Sequence, residues 1–248
     1  MHKLFFYVFI FLTPALHKAG LELPNNVVDV EAVVENLKKK DDKSNVYHKL
    51  NLADFGLSDE VFNLALTGHN SLLAQGKLEN PDILTIVDFS QSSKNKRLYV
   101  IDFSQQELVH HTFVAHGRNT GDEFARNFSN TDGSWQSSLG FYITKNTNMG
   151  ASVGFSLIME GVEKGFNDNA KRRQIIVHGA DYATEDFIKR TGRLGRSFGC
   201  PAVPPHQIKP IVNTIKNGST LFIYYPDEDY LSNSTLLNSD QPNAIRQS

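Results

Sequence analysis

The sequence predicts a mainly β chain with short helices, an α+β arrangement. Three observations predict it. Seven short runs rich in β-branched and aromatic residues follow one another from Ile83 onward, and such runs bounded by turn residues read as strands. Their connections are rich in glycine and serine, which points to a sandwich or a barrel. Helical spacing of apolar residues fills the stretch before Asn80 and otherwise only two short segments.

Taken in order, Met1-His2-Lys3 is a basic start, Leu4 to Leu12 is unbroken and apolar, and Thr13-Pro14-Ala15 offers small residues at a cleavage point. This three-part layout is that of a secretory signal peptide over 1–19. The apolar run is too short to span a bilayer, which takes about 20 residues. A retained, buried N-terminus is the plain alternative. Residues 20–80 read as a helical N-terminal region. Val30, Val33, Val34 and Leu37 have helical spacing, Lys38 to Lys43 is a polar break, and Gly68 and Gly76 punctuate the stretch beyond it. Ser58 is placed to cap a helix whose first turn holds Asp59 and Glu60. His48 and His69 read as packing or surface residues, since no second ligand sits at metal spacing.

The strand runs are Ile83–Phe89 and Arg97–Phe103, joined by a polar hairpin loop, then Leu108–Ala115, Gly140–Thr144, Val153–Met159, Gln174–His178 and Thr220–Tyr225. One helix spans Thr184 to Thr191, with acids early, bases late and Gly192 after its end. Another carries Ile208, Ile211, Val212 and Ile215, holds Pro210 in its first turn and closes at Asn217-Gly218. These elements make one domain over 81–226, followed by a polar, loose tail over 227–248.

Composition narrows the function. Hydrophobic content of 40%, with 17 Phe and 8 Tyr, is enough for a real core. The balance of 25 basic against 27 acidic residues argues against a general nucleic-acid binder. Cys200 is the single cysteine in 248 residues. Exported proteins usually carry paired cysteines or none, so an unpaired one flags a reactive thiol or an intermolecular bridge. A lone cysteine also serves as a small buried hydrophobe, but here Gly195 and Gly199 flank it and Arg193 and Arg196 place positive charge nearby. His178 ends an apolar run upstream, and imidazole titrates close enough to neutrality to serve a thiol as base. A satisfied core histidine is the competing reading.

The segment His178-Gly179 through Ser197-Phe198-Gly199-Cys200 resembles the signature of the YkuD-type murein L,D-transpeptidases: His-Gly at a strand end, a variable stretch, then Ser/Thr-x-Gly-Cys. Upstream, Phe113 to Arg118 sits where that family has a strand ending in Thr-Gly-Lys. Ser137-Ser138-Leu139-Gly140-Phe141-Tyr142 sits where it has Thr-Pro-x-Gly-x-Phe. Phe198 stands where the family often has histidine, Ser137-Ser138 replaces Thr-Pro, and His116 replaces a small hydroxyl residue. The resemblance covers about residues 83 to 226.

It implies a YkuD-like β-sandwich catalytic domain preceded by a small helical segment. It also implies that Cys200 is the nucleophile, His178 its base and Gly179 the residue whose carbonyl orients the ring. Backbone N–H groups of Gly199 and Cys200 would form the oxyanion hole. Ser197 would support the loop or only cap it. Arg193 and Arg196 suit substrate carboxylates or a solvated loop face, and His116 would border the cleft. The substrates would be peptidoglycan stem peptides, donor and acceptor, met in the periplasm or cell envelope after signal cleavage. Transfer to an amine, hydrolysis as an L,D-carboxypeptidase, and non-catalytic wall binding stay open. The resemblance implies no cofactor. No metal is expected either: His110, His116, His178, Cys200 and His206 lack recognised ligand spacing, and His110-His111 face opposite sides of a strand.

Overall fold

The structure, a computed structural model, describes residues 45–238. The signal layout over 1–19 and the helical spacing from Val30 to Leu37 lie outside the described residues. The strands are β1 (Ile83–Asp88), β2 (Leu98–Asp102), β3 (Glu107–Thr112), β4 (Gly140–Gly150), β5 (Gly154–Gly161), β6 (Ile176–Gly179), β7 (Ala202–Val203) and β8 (Thr220–Tyr224). After a helical stretch that ends at residue 49, the α-helices are α1 (Asp59–Ala74), α2 (Glu185–Thr191), α3 (Ile208–Ile215) and α4 (Glu228–Asn233). This is the mainly β architecture with short helices that the sequence predicts. One hydrogen-bonded sheet runs β3-β2-β1-β8-β4-β5-β6-β7. Its pairs are antiparallel except β1–β8 and β6–β7.

β1, β2 and β8 are buried at every position, which accounts for their mostly apolar sequences: strands covered on both faces need no polar alternation. α1 starts at Ser58, whose Oγ accepts the Val61 N–H at 3.2 Å. It buries Val61, Phe62, Ala65, Leu66 and Leu72 and packs on β1 and β8. His69 is buried in the same layer, its Nδ1 bonded to Thr220 Oγ1 at 2.9 Å. α3 packs on β1, β5 and β6 with Ile208, Ile211, Val212 and Ile215 all buried, each worth about 1.5–3 kcal/mol. The two helices cover opposite faces. His110 of β3 bonds Thr214 of α3 at 3.0 Å, whereas His111 stacks on Tyr99 and meets Phe55, in the turn leading to α1.

Three elements differ from expectation. β4 and β5 extend to a hairpin turn at Gly150, past a register shift between Thr144 and Thr147. The polar Lys145–Asn148 stretch conceals this because it is largely exposed. β7 has only two residues, set between Pro201 and Pro204, and so leaves no periodicity to read. The segment after 226 is not a loose tail as far as residue 238. Tyr230 and Leu236 are buried, Tyr230 Oη donates to Glu163 Oε2 at 2.9 Å and Ser234 Oγ donates to Glu163 Oε1. A buried carboxyl needs donors, and the C-terminal helix brings them.

Candidate active site

The parallel pairing of β6 with β7 brings the two expected reactive residues together. His178 lies between Ser156 of β5 and Ala202 of β7. Cys200 is two residues before the position facing His178, roughly 7 Å along the strand direction. The thiol of Cys200 donates to the Gln174 carbonyl at 3.7 Å, and the Ile176 amide also reaches the sulfur. The sulfur therefore lies against the stretch that runs into His178. His178 is 7% exposed, and Cys200 is partly buried.

The imidazole does not bond the thiol directly among the described residues. Its Nδ1 lies 3.1 Å from the Gly179 carbonyl oxygen. A carbonyl only accepts, so Nδ1 carries the proton and the Nε2 lone pair is left available. Burial lowers the His178 pKa below the usual imidazole value, opposed by the Gly179 carbonyl. Burial raises the Cys200 thiol, opposed by the Ile176 amide and the Arg173 charge. Both shifts favour the neutral forms, a thiol and an uncharged imidazole, over an ion pair.

The loop before Cys200 is held by hydroxyls. Ser197 Oγ donates to the Cys200 carbonyl at 2.6 Å and accepts the Gly199 N–H at 3.0 Å. Ser137 Oγ donates to the Gly199 carbonyl at 3.0 Å and accepts the Gly117 N–H at 3.1 Å. The three separated motifs of the sequence thus meet in one network. Gly199 has φ +121°, and a Cβ there would lie 2.8 Å from the Gln136 carbonyl oxygen, so only glycine fits. Beside this loop is a cavity of about 320 Å³ that includes Trp135, Arg172, Arg173, Gln174 and Phe198 in its wall.

A family description, the L,D-transpeptidase catalytic domain, matches residues 31–224. The chain belongs to that family. No curated protein matches it. Among solved structures it is similar to an L,D-transpeptidase from Mycobacterium smegmatis, at 10% identity and a TM-score of 0.37, covering 58% of this chain and 59% of that one. An L,D-transpeptidase from Mycobacterium tuberculosis H37Rv matches at 13% identity and a TM-score of 0.35, covering 58% of each chain. One from Xylanimonas cellulosilytica matches at 15% identity and a TM-score of 0.34, covering 62% of this chain and 68% of that one. The chain thus spans under six-tenths of the two mycobacterial structures.

Several residues expected at the site of this L,D-transpeptidase family member are engaged elsewhere. The Gly199 amide is taken by Ser197 Oγ, whereas the Cys200 N–H has no acceptor among the described residues. Arg196 Nη1 pairs with Asp122 Oδ1 at 2.6 Å and also donates to the carbonyls of Arg118 and Gly121. Arg193 reaches the same carboxylate at 3.9 Å and bonds the Leu194 carbonyl. Arg196 ties down the 118–122 loop, and Arg193 lies only at the outer limit of an ion pair with the same exposed carboxylate. His116 is not at the cleft edge: it is 1% exposed. Its Nδ1 takes a bond from Arg97 Nη2 at 2.8 Å, and burial followed by the Arg97 charge pulls its pKa down to about 3.

Two neighbours of the sulfur escape a reading of the sequence. Arg173 donates to the Ser129 and Gln136 carbonyls and to the hydroxyls of Ser134 and Ser138. It thereby fastens the 129–138 segment beside the sulfur. Its one sequence signal is the basic run Lys171-Arg172-Arg173 before β6. Tyr182 packs on Gly195, and burial with the nearby sulfur raises its phenol to about 12, leaving it a donor. No sequence signal marks it. Among the described residues, no group of three or more His, Cys, Asp or Glu is placed to hold a metal ion, and no helix is long and apolar enough to cross a membrane.

Proposed function

We propose that this chain is an exported cysteine L,D-transpeptidase acting on peptidoglycan stem peptides. His178 Nε2 takes the thiol proton as Cys200 Sγ attacks the carbonyl carbon before a terminal D-alanine. The tetrahedral oxyanion lies at the Cys200 N–H; one such donor is typically worth about 3 kcal/mol. Collapse breaks the C–N bond, the imidazolium returns its proton to the departing amine, and a thioester is left on Cys200. An acceptor amine then attacks the thioester carbonyl and gives its proton to His178, which passes it to the departing Cys200 sulfur and so restores the thiol and the neutral imidazole.

The observation that carries this reading is the His178 Nδ1 bond to Gly179, which leaves Nε2 as the basic nitrogen. Family membership supports the reaction class. The basic, apolar, small-residue start supports export, since peptidoglycan lies outside the cytoplasmic membrane. The test is product analysis by mass spectrometry, with a tetrapeptide ending in D-alanine, with and without an amine acceptor. The expected result is release of D-alanine and an acceptor-linked product. Hydrolysed tripeptide alone, even with acceptor present, would make the chain an L,D-carboxypeptidase, and no turnover would remove the proposal.

A further inference from the structure

The groove beside Cys200 carries a feature that the proton-transfer chemistry does not use. Trp135 and Phe198 are 46% and 64% exposed, with ring centroids 5.4 Å apart and planes tilted by 58°. Large aromatics are normally mostly buried, and two adjacent exposed ones leave apolar surface open to a ligand. The Arg118 guanidinium lies over both rings, 5.3 Å from Trp135 and 5.8 Å from Phe198.

The base of this arrangement is fixed. The Arg118 N–H donates to the Ser197 carbonyl at 2.8 Å, and its own carbonyl accepts from Arg196. Trp135 is held at φ 55°, where a bulky residue is a genuine outlier. Its carbonyl accepts the Asn119 N–H at 3.2 Å. Such strain persists where surrounding contacts impose it, and it gathers at binding sites.

The charges around the groove are uneven. Asp132 is paired with Arg172 at 3.0 Å, and Asp122 is paired with Arg196. Arg118 is exposed and, among the described residues, has no carboxylate partner. A guanidinium is planar, and its N–H edge suits a bidentate acceptor.

We infer that Arg118, held over Trp135 and Phe198, binds a carboxylate of the substrate peptide while the ring surface that Arg118 leaves exposed receives its aliphatic part. This rests on the peptide-substrate reading above. It places carboxylate recognition not on Arg196, which Asp122 and two loop carbonyls hold, but on a residue one loop away. Arg118 is a specificity-determining residue for the same site.

Trp135 is the single tryptophan of the chain, so its fluorescence reports this groove directly. The full chain carrying Cys200→Ala is titrated with a stem tetrapeptide in four forms: all carboxylates free, C-terminus amidated, internal carboxylates amidated, and all amidated. The same titrations are run with Arg118→Gln and Arg118→Lys added, after melting curves show that each variant unfolds cooperatively. Amidating the recognised carboxylate should weaken binding about tenfold in the Arg118 protein, and the form that does so identifies which carboxylate it is. Arg118→Gln should bind all four forms alike, at the weaker affinity. Arg118→Lys should fall between, having charge without the planar fork.

Equal affinity for all four forms with Arg118 present, selectivity that survives Arg118→Gln, or no saturable fluorescence change would each overturn the inference. The two readings fail separately. Acid-selective binding in a protein that never turns the peptide over would remove the transpeptidase reading alone. Turnover without acid selectivity would remove the clamp alone.

Discussion

Replacing His116 by glutamine removes a buried group whose protonation opposes folding. His116 Nδ1 accepts from Arg97 and its Nε2 faces the Gly121 carbonyl at 3.3 Å, a donor–acceptor pattern that a glutamine amide reproduces without charge. A proton on His116 would place a cation against the Arg97 guanidinium inside the core, and its pKa accordingly falls to about 3. The unfolded chain takes up that proton near pH 6.5. As pH falls below 6.5 the unfolded state binds more protons than the folded one, and stability declines until about pH 3. Between pH 7.5 and pH 5 this histidine alone costs about 2 kcal/mol, from roughly 1.5 pH units at 1.36 kcal/mol each. Urea unfolding of the native chain and of His116→Gln at both pH values isolates the difference, because the other titrating groups are common to both. The variant should lose about 2 kcal/mol less stability on acidification. Parallel losses in the two proteins would refute the buried Arg97–His116 contact as the cause.

Gly68→Ala should destabilise the chain by about 1–3 kcal/mol in urea unfolding despite the better helix propensity of alanine. A Cβ there would lie 2.0 Å from the Phe141 ring, at the junction of α1 with β4. Ser197→Ala removes both bonds that shape the Cys200 turn, and peptide turnover should fall roughly tenfold or more. Iodoacetamide alkylation of Cys200 should still proceed, which separates a misplaced loop from a lost thiol. Because burial lowers the His178 pKa, the base stays neutral below the usual imidazole range, and the acid limb of kcat/KM should fall below pH 6.5. A limb above that value would contradict the buried, Gly179-bound ring.

Much of this was legible in the sequence because it is written locally. β1, β2 and β8 are mostly apolar and β-branched or aromatic along their length, so their existence could be read without knowing their partners. The caps at Ser58, Thr184 and Gly192 bond within three or four residues of themselves. The His178–Gly179 bond lies between neighbours. What escaped reading depends on partners far along the chain. Arg196 looks like an open cation until Asp122 arrives on another loop, and His116 looks like a cleft residue until Arg97 covers it. The last helix seems a loose tail until Glu163 supplies its acceptor. Arg173 makes four bonds to the 129–138 segment, and none is visible from its own neighbours. Residue type announces the chemistry, but tertiary pairing decides which groups are left open to a substrate.

The central claim is that Cys200 is the nucleophile and His178 its base, and intact-mass spectrometry after exposure to a carbapenem tests it most directly. The account predicts a single covalent adduct on Cys200, no adduct with Cys200→Ser and greatly slowed formation with His178→Gln. An unmodified native chain, or an adduct that persists in Cys200→Ser, would contradict it.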